Sequence, residues 1–327
     1  MKKQFLISTL IVCIAIAITV VISCSKEEVK VSSQQDQTSD LSLKATEAPN
    51  GYGASATGGN GGTSVTVTTA ANLKTYVESS SAYIIIVSGT INLGSGVSVK
   101  VKSNKTIKGV NTSAKIIGCL DLGSGGVSNV IIQNLIITNP GGDGITVWSA
   151  KNIYITKCTV FDCGDGCIDV TQNADNVTIS WCKFYYTNPS AAHKFVSICG
   201  NVTPAGYHVT YHHNWFAQNC DQRMPSGSYC RAHLYNNYFS CTGNSYCTNV
   251  RTGGAMRVEN NYYNAVNNPL YKEDNGIIYS SGNTFNSCTG TAGYTGEDAN
   301  VFAPPYSYTP GSTSSVPSSV QGGAGNI

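Results

Sequence analysis

Between about residues 50 and 310 the chain repeats itself with a period of roughly 22–24 residues, and this period limits what it can fold into. The segments NVIIQNLIITN from Asn129, NIYITKCTVFDC from Asn152 and NVTISWCKFYY from Asn176 each begin one such period after the last. One column of the repeat runs Asn134, Cys158, Cys182, Asn214, Asn237, Asn261 and Asn283. Two positions after each lies Ile136, Val160, Phe184, Phe216, Phe239, Tyr263 or Phe285. A unit this short cannot bury its own apolar face and must lean on its neighbours, so the repeat implies a solenoid. Short strands joined by short turns fit a parallel β-helix better than a propeller blade or a helical repeat. Amide side chains stacked at the strand spacing of roughly 4.8 Å predict a structural hydrogen-bond ladder down the Asn column. The longer step from Cys182 to Asn214 predicts one rung with an insertion, about Tyr186 to Gly206, emerging on one face.

Composition adds boundaries. With 41% apolar and 12% charged residues the chain can bury a large core, and its 34 glycines favour β structure with many turns. A formal charge of +2, with no basic run beyond the first residues, argues against a nucleic-acid partner. Lys2 and Lys3 precede an apolar stretch from Phe5 to Ile22 that ends in Val21, Ile22, Ser23 and Cys24, which resembles a bacterial lipobox. Residues 1–23 are therefore expected to be a lipoprotein signal peptide, 24–49 a flexible tether anchored through lipid on Cys24, and 50–327 the β-helix domain. An uncleaved membrane helix is the alternative. Either way the domain is secreted beyond the cytoplasm. Ser25, Lys26, Glu27 and Glu28 resemble an export signal to the outer surface, with an outer-membrane lipoprotein facing the periplasm as the other orientation. Of thirteen cysteines, eleven remain without Cys13 and Cys24, an odd number that leaves at least one thiol unpaired within the chain. Buried thiols and a few disulfides are expected, and nothing has zinc spacing.

The strings GYGASATGGNGG at Gly51, IIIVSGTI at Ile84, SNKTIKGV at Ser103, NVIIQNLII at Asn129, DGCIDV at Asp165, VTISW at Val177, VTYHHNWF at Val209 and QRMP at Gln222 follow one another in a characteristic order. In that order and spacing the chain resembles the extracellular pectate lyases, from about residue 50 to the closing PPYSYTP and GGAGN. The resemblance implies a right-handed parallel β-helix enzyme, a monomer, that cleaves polygalacturonate by β-elimination with bound calcium and leaves 4,5-unsaturated oligogalacturonides.

Asp143 and Asp165 are separated by close to one rung of sequence and so are expected to be neighbours on adjacent rungs. Two such carboxylates repel unless a cation lies between them, and calcium, which takes six to eight oxygens, suits the pair. Asp169 would be about 13 Å from Asp165 on a straight strand, so the chain must bend between them, which Gly166 permits. The resemblance implies that Asp143, Asp165 and Asp169 hold the calcium; the alternative is that they are turn residues bonding local backbone. It also implies that Arg223 removes the proton at C5 of a galacturonate and that Lys194 binds a substrate carboxylate. Arginine, with a pKa above 12, is a poor base at neutral pH, and Arg223 as a carboxylate clamp is the competing role. His212 and His213 are expected to be structural.

Two departures stand out. Ser228 occupies the position of a second arginine found in many pectate lyases, and whether Arg231 reaches in its place is open. Thr156 and Lys157 replace the usual Asp and His before Cys158. A pectin lyase acting on methyl-esterified chains, and a non-catalytic glycan-binding lipoprotein, are the competing functions.

Overall fold

Alternate residues of the first strand in each rung are apolar, and they stack into one continuous column. Ile85, Ile107, Ile132, Ile155, Ile179, Tyr211, Leu234 and Val258 pair in register from rung to rung and are all buried. Each such aliphatic side chain, fully withdrawn from water, contributes about 1.5–3 kcal/mol of transfer free energy. That column is one wall of a parallel β-helix. The computed structural model describes residues 47–200, 207–291 and 301–327. Cys24, the signal peptide, the uncleaved-helix alternative and the tether up to residue 46 lie outside the described residues.

Three parallel sheets of ten, eight and nine strands run the length of the solenoid, and the chain visits each in turn. The fold is thus the all-β right-handed parallel β-helix expected from the repeat and the resemblance. Residues with positive φ form the corners. Asn129, Asn152 and Asn176 (φ 59, 57 and 55) open the repeated first strands, as suits asparagine, which tolerates the left-handed region better than most residues. Two short α-helices are present among the described residues. Helix Ala70–Val77, capped by Thr69 Oγ1 accepting from the Asn72 amide, inserts Leu73 and Val77 into the core. Helix Val316–Gly323 packs Val316 and Val320 on Tyr238.

The Asn ladder forms where asparagine is continuous. Asn214 Nδ2 donates to Asn237 Oδ1 (3.0 Å), Asn237 Nδ2 to Asn261 Oδ1 (2.8 Å), and Asn261 Nδ2 to Asn283 Oδ1 (3.0 Å). Beside it Phe184, Phe216, Phe239, Tyr263 and Phe285 stack face to face at 4.3–5.4 Å. The first step of both columns is corrected by the register. Ile137, not Ile136, pairs with Val160, and Leu135 therefore precedes Cys158. Asn134 instead belongs to the corner column of positive φ, with Lys157, Trp181 and His213. Its buried Oδ1 has no hydrogen-bond partner among the described residues.

All eleven cysteines among the described residues are free thiols, and ten are buried, so the expected disulfides do not form. Cys158 and Cys182 occupy ladder positions as small apolar groups, their Sγ atoms facing the carbonyls of Thr156 (3.4 Å) and Ser180 (3.3 Å).

The glycine-rich string after Asn50 is a strap across the outer face of the ten-stranded sheet. Amides of Tyr52, Gly53, Thr57 and Gly59 donate in turn to Thr210, Thr178, Asn129 and Thr106, side chains on successively earlier rungs. A Cβ on Gly53 or Gly59 would run into the Ile153 or Tyr83 carbonyl, so the strap lies this close only because it lacks side chains there. The insertion after Tyr185 leaves the nine-stranded sheet, carries Lys194 and rejoins the eight-stranded sheet at Ile198–Cys199; residues 201–206 lie outside the described residues.

Candidate active site

The acidic residues gather on the outer face of the eight-stranded sheet. Strand Ile145–Trp148 lies beside Ile168–Thr171 with Thr146 opposite Asp169. Asp143, in the turn before the first strand, accepts from the Thr146 hydroxyl (3.0 Å) and from the Gly166 amide on the next rung (2.9 Å). Asp165 is thereby set against Asp143 across one rung boundary, and its charge acts on Asp143. Asp169 Oδ1 accepts from the Ile198 amide (2.9 Å). Its carboxylate folds back over Gly166, where a Cβ would sit 2.5 Å from Oδ1, so Gly166 serves by the space it leaves. Asp143 and Asp169 thus bond backbone amides, as turn carboxylates do, while also forming one electrostatic cluster with Asp165.

Burial, and then the charge of Asp143, pushes Asp169 up to about 7. Burial also raises Asp143, partly offset by its bonds to Gly166 and Thr146, with Asp165 adding to the rise. Burial leads both shifts, neighbouring carboxylates add to them and the charge of Arg223 offsets them only in part; the donors are all oxygen, which fits a hard cation such as calcium. Among the described residues no three His, Cys, Asp or Glu side chains are gathered closely enough to hold a metal unaided. An ion here would complete its shell with other oxygens.

Arg223 faces this cluster from two rungs away. Its Nη1 lies 3.9 Å from Asp165 Oδ1, and its guanidinium rides 4.1 Å above the Phe195 ring, which in turn stacks on His193 at 5.0 Å. Phe195 bridges Gly166 and Gln222, so Asp165, Lys194 and Asp221 fall in one column on three successive rungs. Lys194 is therefore next to Asp165 in the sheet, but its Nζ donates to the Pro189 carbonyl of its own inserted segment (2.6 Å). A cavity of about 490 Å³, lined by Pro140, Asp162 and His193, opens beside that segment.

Arg231 does not join the site. It lies in the ten-stranded sheet opposite His208, donates to the carbonyls of Cys230 and Gly253, and lines a separate cavity with Tyr52 and Phe302. His212 and His213 are structural as expected. His212 Nε2 contacts Asn50 Oδ1 (2.8 Å), His213 stacks on Trp181 (4.3 Å), and burial holds His213 down at about 4. Sequence reasoning missed Phe195, whose place under Arg223 depends on the inserted rung, and also Tyr246 and Arg251 beyond Arg223. Their signal was present, because Arg251 follows Ser228 by one full period of the repeat.

The family model described as Pectate lyase matches residues 37–326. Pectate trisaccharide-lyase of Bacillus licheniformis is 30% identical over 332 residues, covering 94% of this chain and 93% of that protein. Pectate trisaccharide-lyase of Thermotoga maritima is 38% identical over 206 residues, 56% of this chain; that match spans about half, 52%, of the Thermotoga protein. Among solved structures, pectate lyase Bsp165PelA from Bacillus sp. N165 in complex with trigalacturonate superposes with a TM-score of 0.72 at 28% identity, covering 85% of this chain and 98% of that one.

Proposed function

The chain belongs to the pectate lyase family, and from that premise we propose that it is a polysaccharide lyase that cleaves α-1,4-linked polygalacturonate by calcium-dependent β-elimination. The observation that carries the reading is Arg223, held 3.9 Å from Asp165 at the edge of a cluster of three carboxylates whose charge it offsets only in part. The relative that superposes with this chain binds trigalacturonate, which supports the same substrate class.

In the reaction the C5–H pair becomes the C4–C5 double bond as the C4–O bond breaks, and the departing oxygen takes a proton from water. Asp143, Asp165 and Asp169 would hold the calcium, which when bound supplies positive charge against the enolate-like carboxylate that grows as C5 loses its proton. Arg223 takes that proton. Phe195 packs under one face of the guanidinium and fixes its plane, which limits water on that side and leaves the rim free for substrate. Lys194 exchanges its Pro189 carbonyl for a substrate carboxylate. The products are 4,5-unsaturated oligogalacturonides. The enzyme acts as a monomer on the outer surface, exported by the leader at residues 1–23 and tethered by lipid on Cys24.

One assay tests the reading: the ultraviolet absorbance of unsaturated uronides from polygalacturonate and from methylated pectin, with and without chelator. Strong activity on polygalacturonate that chelation abolishes is expected. Chelator-resistant cleavage of methylated pectin would transfer the chain to pectin lyase chemistry, and no absorbance on either substrate would favour a glycan-binding role.

A further inference from the structure

The outer face of the eight-stranded sheet changes sign along the solenoid axis. Asp121, paired with Lys100, and then Asp143, Asp165 and Asp169 occupy its earlier rungs. Arg223 follows, and on the next rung stands Arg251. Strands Ser226–Gly227 and Thr248–Val250 pair Gly227 with Val250, and the Arg251 amide donates to the Gly227 carbonyl (2.7 Å). Continuing that register by one residue sets Arg251 directly beside Ser228.

The Arg251 side chain makes no hydrogen bond or ion pair with any described residue, and its Nε is buried without a partner. Glu273, next in the column, accepts from Asn249 Nδ2 (3.3 Å) and forms no ion pair with Arg251. A buried Nε–H with no acceptor is costly unless an anion or water completes it, and a carboxylate can bond Nε and one Nη together. Tyr246 lies on the same rung as Arg251 and next to Arg223 across the rung boundary, where the Met224 amide donates to the Cys247 carbonyl (2.9 Å), and its ring stacks on Tyr271 at 5.6 Å. Two guanidinium groups on adjacent rungs with an aromatic ring beside them match a polymer that presents a carboxylate and an apolar ring face at each unit.

We propose that Arg251, with Tyr246, forms a second anionic-sugar subsite that grips a galacturonate carboxylate on the side of Arg223 away from the acidic cluster. It thereby supplies from the following rung the cation missing at Ser228. This inference rests on the pectate lyase reading. Carboxylates on one side of the cleavage point are then bridged by a cation, and those on the other are held directly by arginine.

The test compares wild type with Arg251→Ala and Arg251→Lys in the full chain, on polygalacturonate and on partly methylated pectin, with thermal melting as a control. Losing one charge-assisted contact should raise KM on polygalacturonate by about 10-fold or more while kcat stays within about twofold. Arg251→Lys should recover part of the affinity, and on partly methylated pectin, where fewer units carry the carboxylate, the KM penalty of Arg251→Ala should be smaller than on polygalacturonate. Trigalacturonate binding measured by calorimetry in an Arg223→Lys background should weaken about 10-fold on adding Arg251→Ala. Unchanged KM and affinity, no recovery with Lys, or equal losses on both substrates would each overturn the subsite. A wild-type protein inactive on polygalacturonate would instead remove the underlying lyase reading.

Discussion

Arg223 and Asp165 face each other across the rungs at 3.9 Å, joining the proposed base to the proposed cation site in one electrostatic unit. The carboxylate that would bind a metal is also the counter-charge of the guanidinium. A cation engaging Asp165 would therefore free Arg223 toward substrate.

If Arg223 takes the C5 proton, Arg223→Lys keeps a positive charge but moves the basic atom and loses the planar fork. Turnover should fall at least ~100-fold, with substrate affinity much less affected. Because a charged guanidinium cannot accept a proton, wild-type kcat should also rise as pH increases above neutrality. Near-normal kcat for the variant at saturating polygalacturonate would leave Arg223 as a clamp.

Asp169 and His213 pull stability in opposite directions with pH. Asp169 is raised from 3.8 to about 7, so the stability linked to its protonated form is full below 3.8 and is lost as pH rises through 7. His213 is lowered from 6.5 to about 4, so its contribution is present above 6.5 and is lost as pH falls through 4. In chelator, Asp169→Asn should melt higher than wild type at pH 8, and the gap should close as pH falls from 7 toward 4. A constant gap across that range would contradict the assignment.

Asn237→Ala removes the acceptor of the Asn214 side chain and backbone amide (both 3.0 Å) and the donor to Asn261 (2.8 Å). Buried groups left unpaired should cost about 2–4 kcal/mol in chemical denaturation. Asn286→Ala, which breaks only an exposed amide pair, should change stability by less than ~0.5 kcal/mol. Equal losses at the two sites would mean that burial of the ladder is not what makes it stabilising.

Cys24→Ala should shift the protein from the membrane to the soluble fraction with unchanged activity per molecule. Retention of the variant in washed membranes would point to an uncleaved helix.

The architecture was legible because a solenoid writes its geometry into the sequence as a period, and the aromatic column from Phe184 to Phe285 needs only counting. The slip at Asn134 shows the limit of counting. Asparagine serves both at a left-handed corner and in a buried ladder, and only the hydrogen-bond register separates the two. The one-rung offset placed Asp143 against Asp165. How Asp169 returns over Gly166 depended on a side-chain direction that spacing does not encode. Cysteine number suggested disulfides because export implies oxidation, but stacking inside a solenoid selects cysteine for its small apolar volume.

The strap from Tyr52 to Gly59 changes how such a molecule comes apart. A stack of rungs held only by nearest neighbours can fray from either end, one unit at a time. Here a single extended segment is laced to side chains of four rungs between Thr210 and Thr106, so no rung in that span opens without loosening the lacing over the others. Unfolding of the central rungs, which carry the acidic cluster, becomes a collective event. Amide exchange there should approach the global limit, while the rungs after Glu259 exchange through smaller, local openings.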